Sequence, residues 1–282
     1  MRNSKQHRVA IITGASSGIG EALARQMVFE GFDVVLAARN TDRLEEIALD
    51  LSKNTANILI VKTDVTNPTD CQNLIRETIL RFRRVDVLIN NAGISMRAML
   101  RDLDLDVLHR VMDVNFWGAV YCTKYALPYI LEQHGSIVGI SSISGKHGLP
   151  GRTGYSASKF AMEGFLESLR IEHLPENLHV LVACPGFTAT NIRVNALDGY
   201  GQPQGESPRD ELQMMTADQV AKAIAWAIKH RKRDLILTAQ GFGVFWLQKF
   251  FPSFVDRTIF RTMAKEPDSP FGKPQPDTVT SS

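Results

Sequence analysis

Thr13-Gly14-Ala15-Ser16-Ser17-Gly18-Ile19-Gly20 lies between an apolar run, Arg8–Thr13, and an amphipathic stretch, Gly18–Glu30. The run predicts a strand and the stretch a helix. Glycine permits the tight turn between them, and without a Cβ it lets the backbone approach a pyrophosphate closely. A helix beginning here offers unpaired N–H groups and the positive end of its dipole to that anion. Gly14, Ser16, Ser17, Gly18, Ile19 and Gly20 are therefore the expected phosphate-binding residues. A turn that only packs strand on helix is the alternative; its position after the first strand of a β-α-β unit argues against that.

Outward from this loop, short apolar runs alternate with longer amphipathic ones. Asp33–Ala38 predicts a strand and Thr41–Leu51 a helix, followed by strand Asn57–Val65, helix Pro68–Phe82 and strand Val85–Asn90. A long apolar-periodic stretch, Leu103–Leu131, comes next. Strand Ser136–Ser141, helix Tyr155–His173, strand His179–Cys184, helix Ala217–His230 and strand Asp234–Thr238 complete the alternation. Nearly continuous apolar runs such as Val34–Ala38 and Val85–Ile89 suit strands covered by helices on both faces. The expected fold is α/β: a Rossmann-type, doubly wound parallel sheet of about seven strands flanked by helices. Ligands of such sheets lie beyond the carboxyl ends of the strands, where strand order reverses. No internal boundary or repeat is visible, so 1–242 reads as one nucleotide-binding domain that includes the catalytic site and a lid.

Strand two ends Leu36-Ala37-Ala38-Arg39, with no carboxylate to accept from an adenine ribose. The Arg39 guanidinium suits a 2′-phosphate through paired charge-assisted hydrogen bonds. A solvated arginine is the bland alternative, and Arg43 is a weak helper or plain surface. Tyr155 and Lys159, four apart in a predicted helix, share a face. A free tyrosine titrates at a pH of about 10, and a nearby ammonium favours its phenolate. Alone, such a pair is usually decoration. Ser141 and Ser142 end strand five, with Ser144 just beyond, and a hydroxyl there can donate to an oxygen on which negative charge develops. Asn115 is polar in an apolar helical stretch, and buried without partners it would cost about 1–3 kcal/mol.

Taken in order, Gly14-x-x-x-Gly18-x-Gly20, Asn90-Asn91-Ala92-Gly93, Asn115, Ser142 and Tyr155-x-x-x-Lys159 resemble the short-chain dehydrogenase/reductase family, in its compact single-domain branch, over roughly residues 7 to 240. The glycine spacing differs from Gly-x-Gly-x-x-Gly and from the Gly-x-x-Gly-x-x-Gly of the extended branch. The resemblance implies an oxidoreductase that interconverts an alcohol and a ketone or aldehyde by hydride transfer. It makes Tyr155 the acid/base and Ser142 the holder of the substrate oxygen, with Ser141 and Ser144 as local alternatives. Lys159 then holds the nicotinamide ribose and restores the proton, and Asn115 anchors a relay water where its helix bends. Asp64 and Val65 are implied to contact adenine, and Asn91, Ala92 and Gly93 to line the cofactor. Pro185-Gly186-Phe187-Thr188-Ala189-Thr190 matches the segment that closes over the nicotinamide, with Thr188 or Thr190 touching its carboxamide or phosphate. With Arg39, the expected cofactor is NADP(H) in preference to NAD(H). The expected partners are a hydrophobic carbonyl or alcohol and further copies of the chain, in a homodimer or homotetramer.

The 282 residues are 44% hydrophobic and 22% charged, with a net charge of +2. That is enough for a sizeable core and too near neutral to point to nucleic acid. Cys71, Cys122 and Cys184 are widely spaced, with no disulfide framework and no metal-ligand pattern, so a cytoplasmic location is expected. Met1–His7 is short and polar, and no apolar run approaches the roughly 20 residues of a membrane span. Asn191–Met215 is expected to act as a lid. His147, Phe187, Met96 and Tyr200 are expected to line the pocket or simply pack. Gly243–Lys265 interleaves Phe245, Trp246, Phe250, Phe251, Phe254 and Phe260 with Lys249, Arg257 and Arg261. This helical extension caps its own pocket or packs on another subunit, the commoner use of an apolar stripe, or lies peripherally in a membrane interface. Residues 266–282, rich in Pro, Ser, Thr and Asp, read as a mobile tail. The rival functions are a non-catalytic nucleotide sensor and a membrane-surface scaffold.

Overall fold

Side chains alternate along Arg8–Thr13, Ala10 and Ile12 joining one apolar cluster and Val9 and Ile11 another. A strand buried on both faces does this because successive Cβ atoms point to opposite sides. The computed structural model describes residues 7–53, 57–186, 188, 190, 192–205, 214–265 and 269. Its strands are β1 (Arg8–Thr13), β2 (Phe32–Ala38), β3 (Ile58–Lys62), β4 (Val87–Asn90), β5 (Ser136–Ile140), β6 (His179–Cys184) and β7 (Asp234–Ile236). They form one sheet in the order β3-β2-β1-β4-β5-β6-β7, with every pair parallel. This is the doubly wound, Rossmann-type arrangement expected from the alternation.

The helices are α1 (Gly18–Phe29), α2 (Thr41–Leu51), α3 (Pro68–Phe82), α4 (Leu105–Met112), α5 (Gly118–Glu132), α6 (Thr153–Glu172), α7 (Ala217–Lys229), α8 (Ala239–Phe250) and α9 (Pro252–Met263). Leu23 and Met27 of α1, Leu44 and Ile47 of α2, and Ile224 of α7 cover one face of the sheet. Leu74 of α3, Ile130 of α5, and Met162 and Leu166 of α6 cover the other. Each such fully buried side chain contributes roughly 1.5–3 kcal/mol, which makes these two layers the rigid base of the molecule. Strand order reverses between β1 and β4, and a crevice opens there at the carboxyl ends of the strands.

Several boundaries differ from the sequence expectation, each for a local reason. The third strand stops at Lys62 because Asp64 turns the chain, its carboxylate accepting from Thr66 N (3.0 Å) and Thr66 Oγ1 (2.8 Å). The fourth begins at Val87, and just before it the Asp86 carboxylate accepts from Val9 N (2.8 Å) and pairs with Arg84. Leu103–Leu131 is not one helix: a π turn, Asp113–Trp117, separates α4 from α5. Helix α6 starts two residues before Tyr155. Pro252, acceptable at the first turn of a helix, opens α9.

Helices α8 and α9 pack on one another, and α9 buries Val255 and Met263. Gln248 of α8 donates to the Lys146 carbonyl (2.8 Å) and bonds the His147 ring. Phe242, Trp246, Phe250, Phe251 and Phe254 remain exposed. Among the described residues no helix is long and apolar enough to cross a membrane, and no cluster of His, Cys, Asp or Glu could hold a metal ion. Phe187, Ala189, Asn191, the 206–213 part of the expected lid, and 266–268 and 270–282 of the expected tail lie outside the described residues.

Candidate active site

The crevice at the β1/β4 reversal is a cleft of about 810 Å³. Its floor is the turn after β1. Gly14 adopts φ +64°, and a Cβ there would lie 2.9 Å from Ala92 Cα. At Gly20 a Cβ would overlap the Gly14 carbonyl oxygen. The glycines are thus demanded by close backbone approach as well as by the turn. Thr13 locks the two loops together. Its Oγ1 accepts from Asn91 N (3.0 Å) and Ala92 N (3.0 Å), while Asn91 Nδ2 donates to Thr13 O (2.9 Å) and Gly14 O (3.2 Å). Ser17, in extended conformation, precedes the first turn of α1, which leaves the helix N–H groups facing the cleft.

All the residues expected at the cofactor line this one cleft. Ser16, Gly18 and Ile19 lie along the first turn, Arg39 at the end of β2, Asp64 and Val65 after β3, and Gly93 after β4. Pro185, Gly186, Thr188 and Thr190 line the cleft too, Thr190 lying against Gly18, where a Cβ would be 3.3 Å from Thr190 Cγ2. A cleft of this volume, with a cradle that side chains would fill, fits a dinucleotide. Arg39 is exposed and has no hydrogen bond or ion pair to another described residue, whereas Arg43 is taken up by Glu21 (3.0 Å) and Glu46 (2.6 Å) and does not line the cleft.

Ser142, Tyr155 and Lys159 line the same cleft. Tyr155 is buried, and burial raises its pKa; the Ser142 hydroxyl and the charge of Arg152 pull the other way. Lys159 Nζ lies 5.8 Å from the Tyr155 ring centroid and donates to the Ile140 carbonyl (2.8 Å). Burial lowers its pKa to about 8. Asn115 does not line the cleft. It is fully buried in the π turn, where its Oδ1 accepts from Ile94 N (2.8 Å) and its Nδ2 donates to Ile94 O (2.9 Å) and Ser158 Oγ (2.9 Å). These bonds fix the helix where its hydrogen-bond ladder widens. Both N–H donors are spent, and the remaining Oδ1 lone pair faces Gly93, where a Cβ would lie 3.2 Å from Oδ1 and 3.5 Å from Lys159 Nζ.

Of the residues expected to shape the pocket, Met96 is core, packed with Val107, Tyr155 and Leu197, and Tyr200 is 77% exposed. His147 lies away from the cleft, against Gln248 and 3.7 Å from Asp256. The described part of the lid is anchored: Leu197 N donates to Ser95 O (2.9 Å), and Arg193 donates to Thr188 O (2.8 Å). Sequence reading missed Thr13, Ser158, Arg152 and Glu163. Thr13 and Ser158 stand inside the motifs, but nothing in spacing says which hydroxyl reaches which loop.

Residues 8–200 match the short chain dehydrogenase family. The chain belongs to this family and is an oxidoreductase acting on CH–OH groups with a nicotinamide dinucleotide, NAD or NADP. It is 38% identical over 238 residues to dehydrogenase/reductase SDR family member 7B of Mus musculus, covering 83% of this chain and 74% of that one. Against an SDR family protein 7-like of Dictyostelium discoideum it is 36% identical over 263 residues, 90% of this chain and 81% of the other. Among solved structures, an alcohol dehydrogenase from Thermococcus sibiricus complexed with 5-hydroxy-NADP matches with a TM-score of 0.71 and 27% identity, covering 82% of this chain and 96% of that one. A Burkholderia phymatum short chain dehydrogenase/reductase in complex with NAD matches with a TM-score of 0.79 and 25% identity, covering 88% and 95%.

Proposed function

We propose that this protein is an NADP(H)-dependent carbonyl reductase, reversible as an alcohol dehydrogenase, that acts on a hydrophobic ketone or aldehyde with Tyr155 as acid/base. The observation that carries the chemistry is the buried Tyr155 in one cleft with Ser142 and Lys159, the cleft that the glycine loop floors. Bound nicotinamide dinucleotide supplies or accepts the hydride. Tyr155, kept protonated to high pH by burial, donates its proton to the substrate oxygen, which Ser142 holds. Lys159, titrating near 8, returns a proton to Tyr155, and the free Oδ1 lone pair of Asn115 orders a water on that path. Reduction is therefore expected to slow above about pH 8, as Lys159 loses its proton. Ile94, Leu149, Ile192 and Leu197 give the substrate end of the cleft its apolar wall.

The NADP(H) preference is supported by Arg39, which lines the cleft without a carboxylate partner. Two solved relatives carry one nucleotide each and leave the choice open. Titrating the protein with NADPH and NADH by fluorescence, beside Arg39→Ala, tests it. The substitution is expected to weaken NADPH about 10–100-fold, the loss of a charge-assisted pair, with little change for NADH. Equal losses would sink the assignment.

The same reading takes 1–242 as the catalytic unit, 243–265 as its extension and 266–282 as a tail, in a cytoplasmic homo-oligomer. Trp117, at the end of the π turn, and Phe160, on α6, are 44% and 46% exposed and suited to contact with a second copy. A second reading rests on the exposed aromatics of α8 and α9, which lie beside Lys249, Arg257 and Arg261 and suit a peripheral contact with an anionic membrane. Co-sedimentation with anionic vesicles separates the two.

A further inference from the structure

Glu163 lies one turn beyond Lys159 on α6, mostly buried, and does not line the nucleotide cleft. Its Oε1 accepts from Ser141 Oγ (2.5 Å) and Cys184 Sγ (3.5 Å), and its Oε2 pairs with Lys146 Nζ (2.7 Å). Lys146 also reaches Asp234 on β7 at 3.4 Å. Burial lowers the Lys146 pKa, but Glu163, joined by Cys184 and Asp234, more than offsets it, and the pKa lies above the ordinary lysine value. Ser141 and Lys146 flank the short 3₁₀ turn Ile143–Gly145, which Ser142 caps by accepting from Ser144 N (3.2 Å). One carboxylate thus grips both ends of the segment that carries Ser142. Gly145 leaves room for it, since a Cβ there would run into Glu163 Oε1 and Ser141 Oγ.

We propose that Glu163 is a positioning residue of the active site: by holding Ser141 and Lys146 it fixes the backbone that presents Ser142 to Tyr155. It acts through Ser142 and touches neither substrate nor cofactor. Removing it leaves the glycine loop and its Thr13–Asn91 lock untouched, so its effects are confined to the catalytic end of the cleft.

The variants are Glu163→Ala and Glu163→Gln in the full-length chain. Backbone hydrogen exchange across 141–147 is expected to speed about tenfold in Glu163→Ala, the loss of one buried charged network, with 14–20 and 91–93 unchanged. The Gln variant, which keeps an acceptor for Ser141 but no charge for Lys146, is expected to fall between. Tyr155 ionisation, read as phenolate absorbance against Tyr155→Phe, reports whether the effect passes through Ser142. The groups bearing on that hydroxyl are Ser142, Arg152, Cys184 and, beside the ring, Lys159. Ser142 favours the phenolate, so its misplacement raises the midpoint, and the Glu163→Ala shift is expected to vanish in a Ser142→Ala background. Unchanged exchange at 141–147, or additive shifts, overturns the proposal. Ser141→Ala removes only the 2.5 Å bond and must loosen the same segment even where Glu163→Ala fails to fold. The significance of Ser142 rests on Tyr155 as acid/base, but the exchange readout does not. A Tyr155 that fails to titrate counts against the acid/base reading, and a segment that stays rigid counts against Glu163.

Discussion

The glycine turn after β1 and the paired helices α8 and α9 both border the working end of the molecule, but they are held very differently. Around the turn, backbone meets backbone, Gly14 against Ala92 and Gly20 against Gly14, and the Thr13 hydroxyl accepts from two successive amides of the loop after β4, Asn91 and Ala92. The C-terminal helices instead reach the catalytic loop through side chains, chiefly Gln248 on the Lys146 carbonyl and Phe245 beneath the Lys146 ammonium (5.9 Å). They leave a row of aromatics exposed. A site built on backbone contacts tolerates almost no added atom, whereas one built on side chains can be rearranged without disturbing the fold. The nucleotide cradle is of the first kind, and the exposed aromatic row is of the second.

The contrast breaks most severely at the turn. Gly20→Val places side-chain atoms on the Gly14 carbonyl, so binding of both nucleotides is expected to disappear, as read by fluorescence titration. A variant that binds normally would show that the turn relaxes.

A smaller effect lies between the two regions, at Lys159. Burial lowers it from the ordinary 10.5 to about 8, so between those values the unfolded chain holds a proton that the native chain does not. Stability from this group is therefore gained as pH rises through that window and is missing below it, by up to about 3 kcal/mol. Lys159→Met removes the buried charge, and the lost bond to Ile140 is a constant offset. Calorimetry is expected to show the variant's stability relative to wild type nearly flat below about pH 8 and falling from there to pH 10.5. A difference independent of pH would place Lys159 in a wetter environment.

The smallest effect is expected at the C-terminal helices. Replacing Phe250 and Phe254, both exposed, with serine should change thermal stability by less than about 1 kcal/mol. If these helices meet a lipid surface, the same double variant loses co-sedimentation with anionic vesicles. If they meet a second copy, it loses mass in light scattering instead, with vesicle binding absent throughout.

Local pattern made the first region legible. Apolar strand runs, glycines at fixed offsets and strand–helix alternation carry the sheet and the cleft, because each depends on neighbours in the chain, whereas the grouping of Ser142, Tyr155 and Lys159 was implied by the family resemblance. The resemblance marked a bend at Asn115, but local pattern did not show its cause, which is tertiary: Asn115 bonds both backbone groups of Ile94, 21 residues away. Glu163 was hidden likewise, since its partners Ser141 and Lys146 lie on a different element and nothing in its spacing marks it. In α8 and α9 an aromatic stripe announces burial, but hydrophobic pattern does not say what does the burying.

The central claim is tested most directly by following NADPH oxidation against a panel of lipophilic ketones and aldehydes with wild-type protein and Tyr155→Phe. The account predicts turnover by the wild type, and in the variant unchanged NADPH binding with turnover lower by a factor of about 10²–10⁴. Turnover by Tyr155→Phe at the wild-type rate would contradict it.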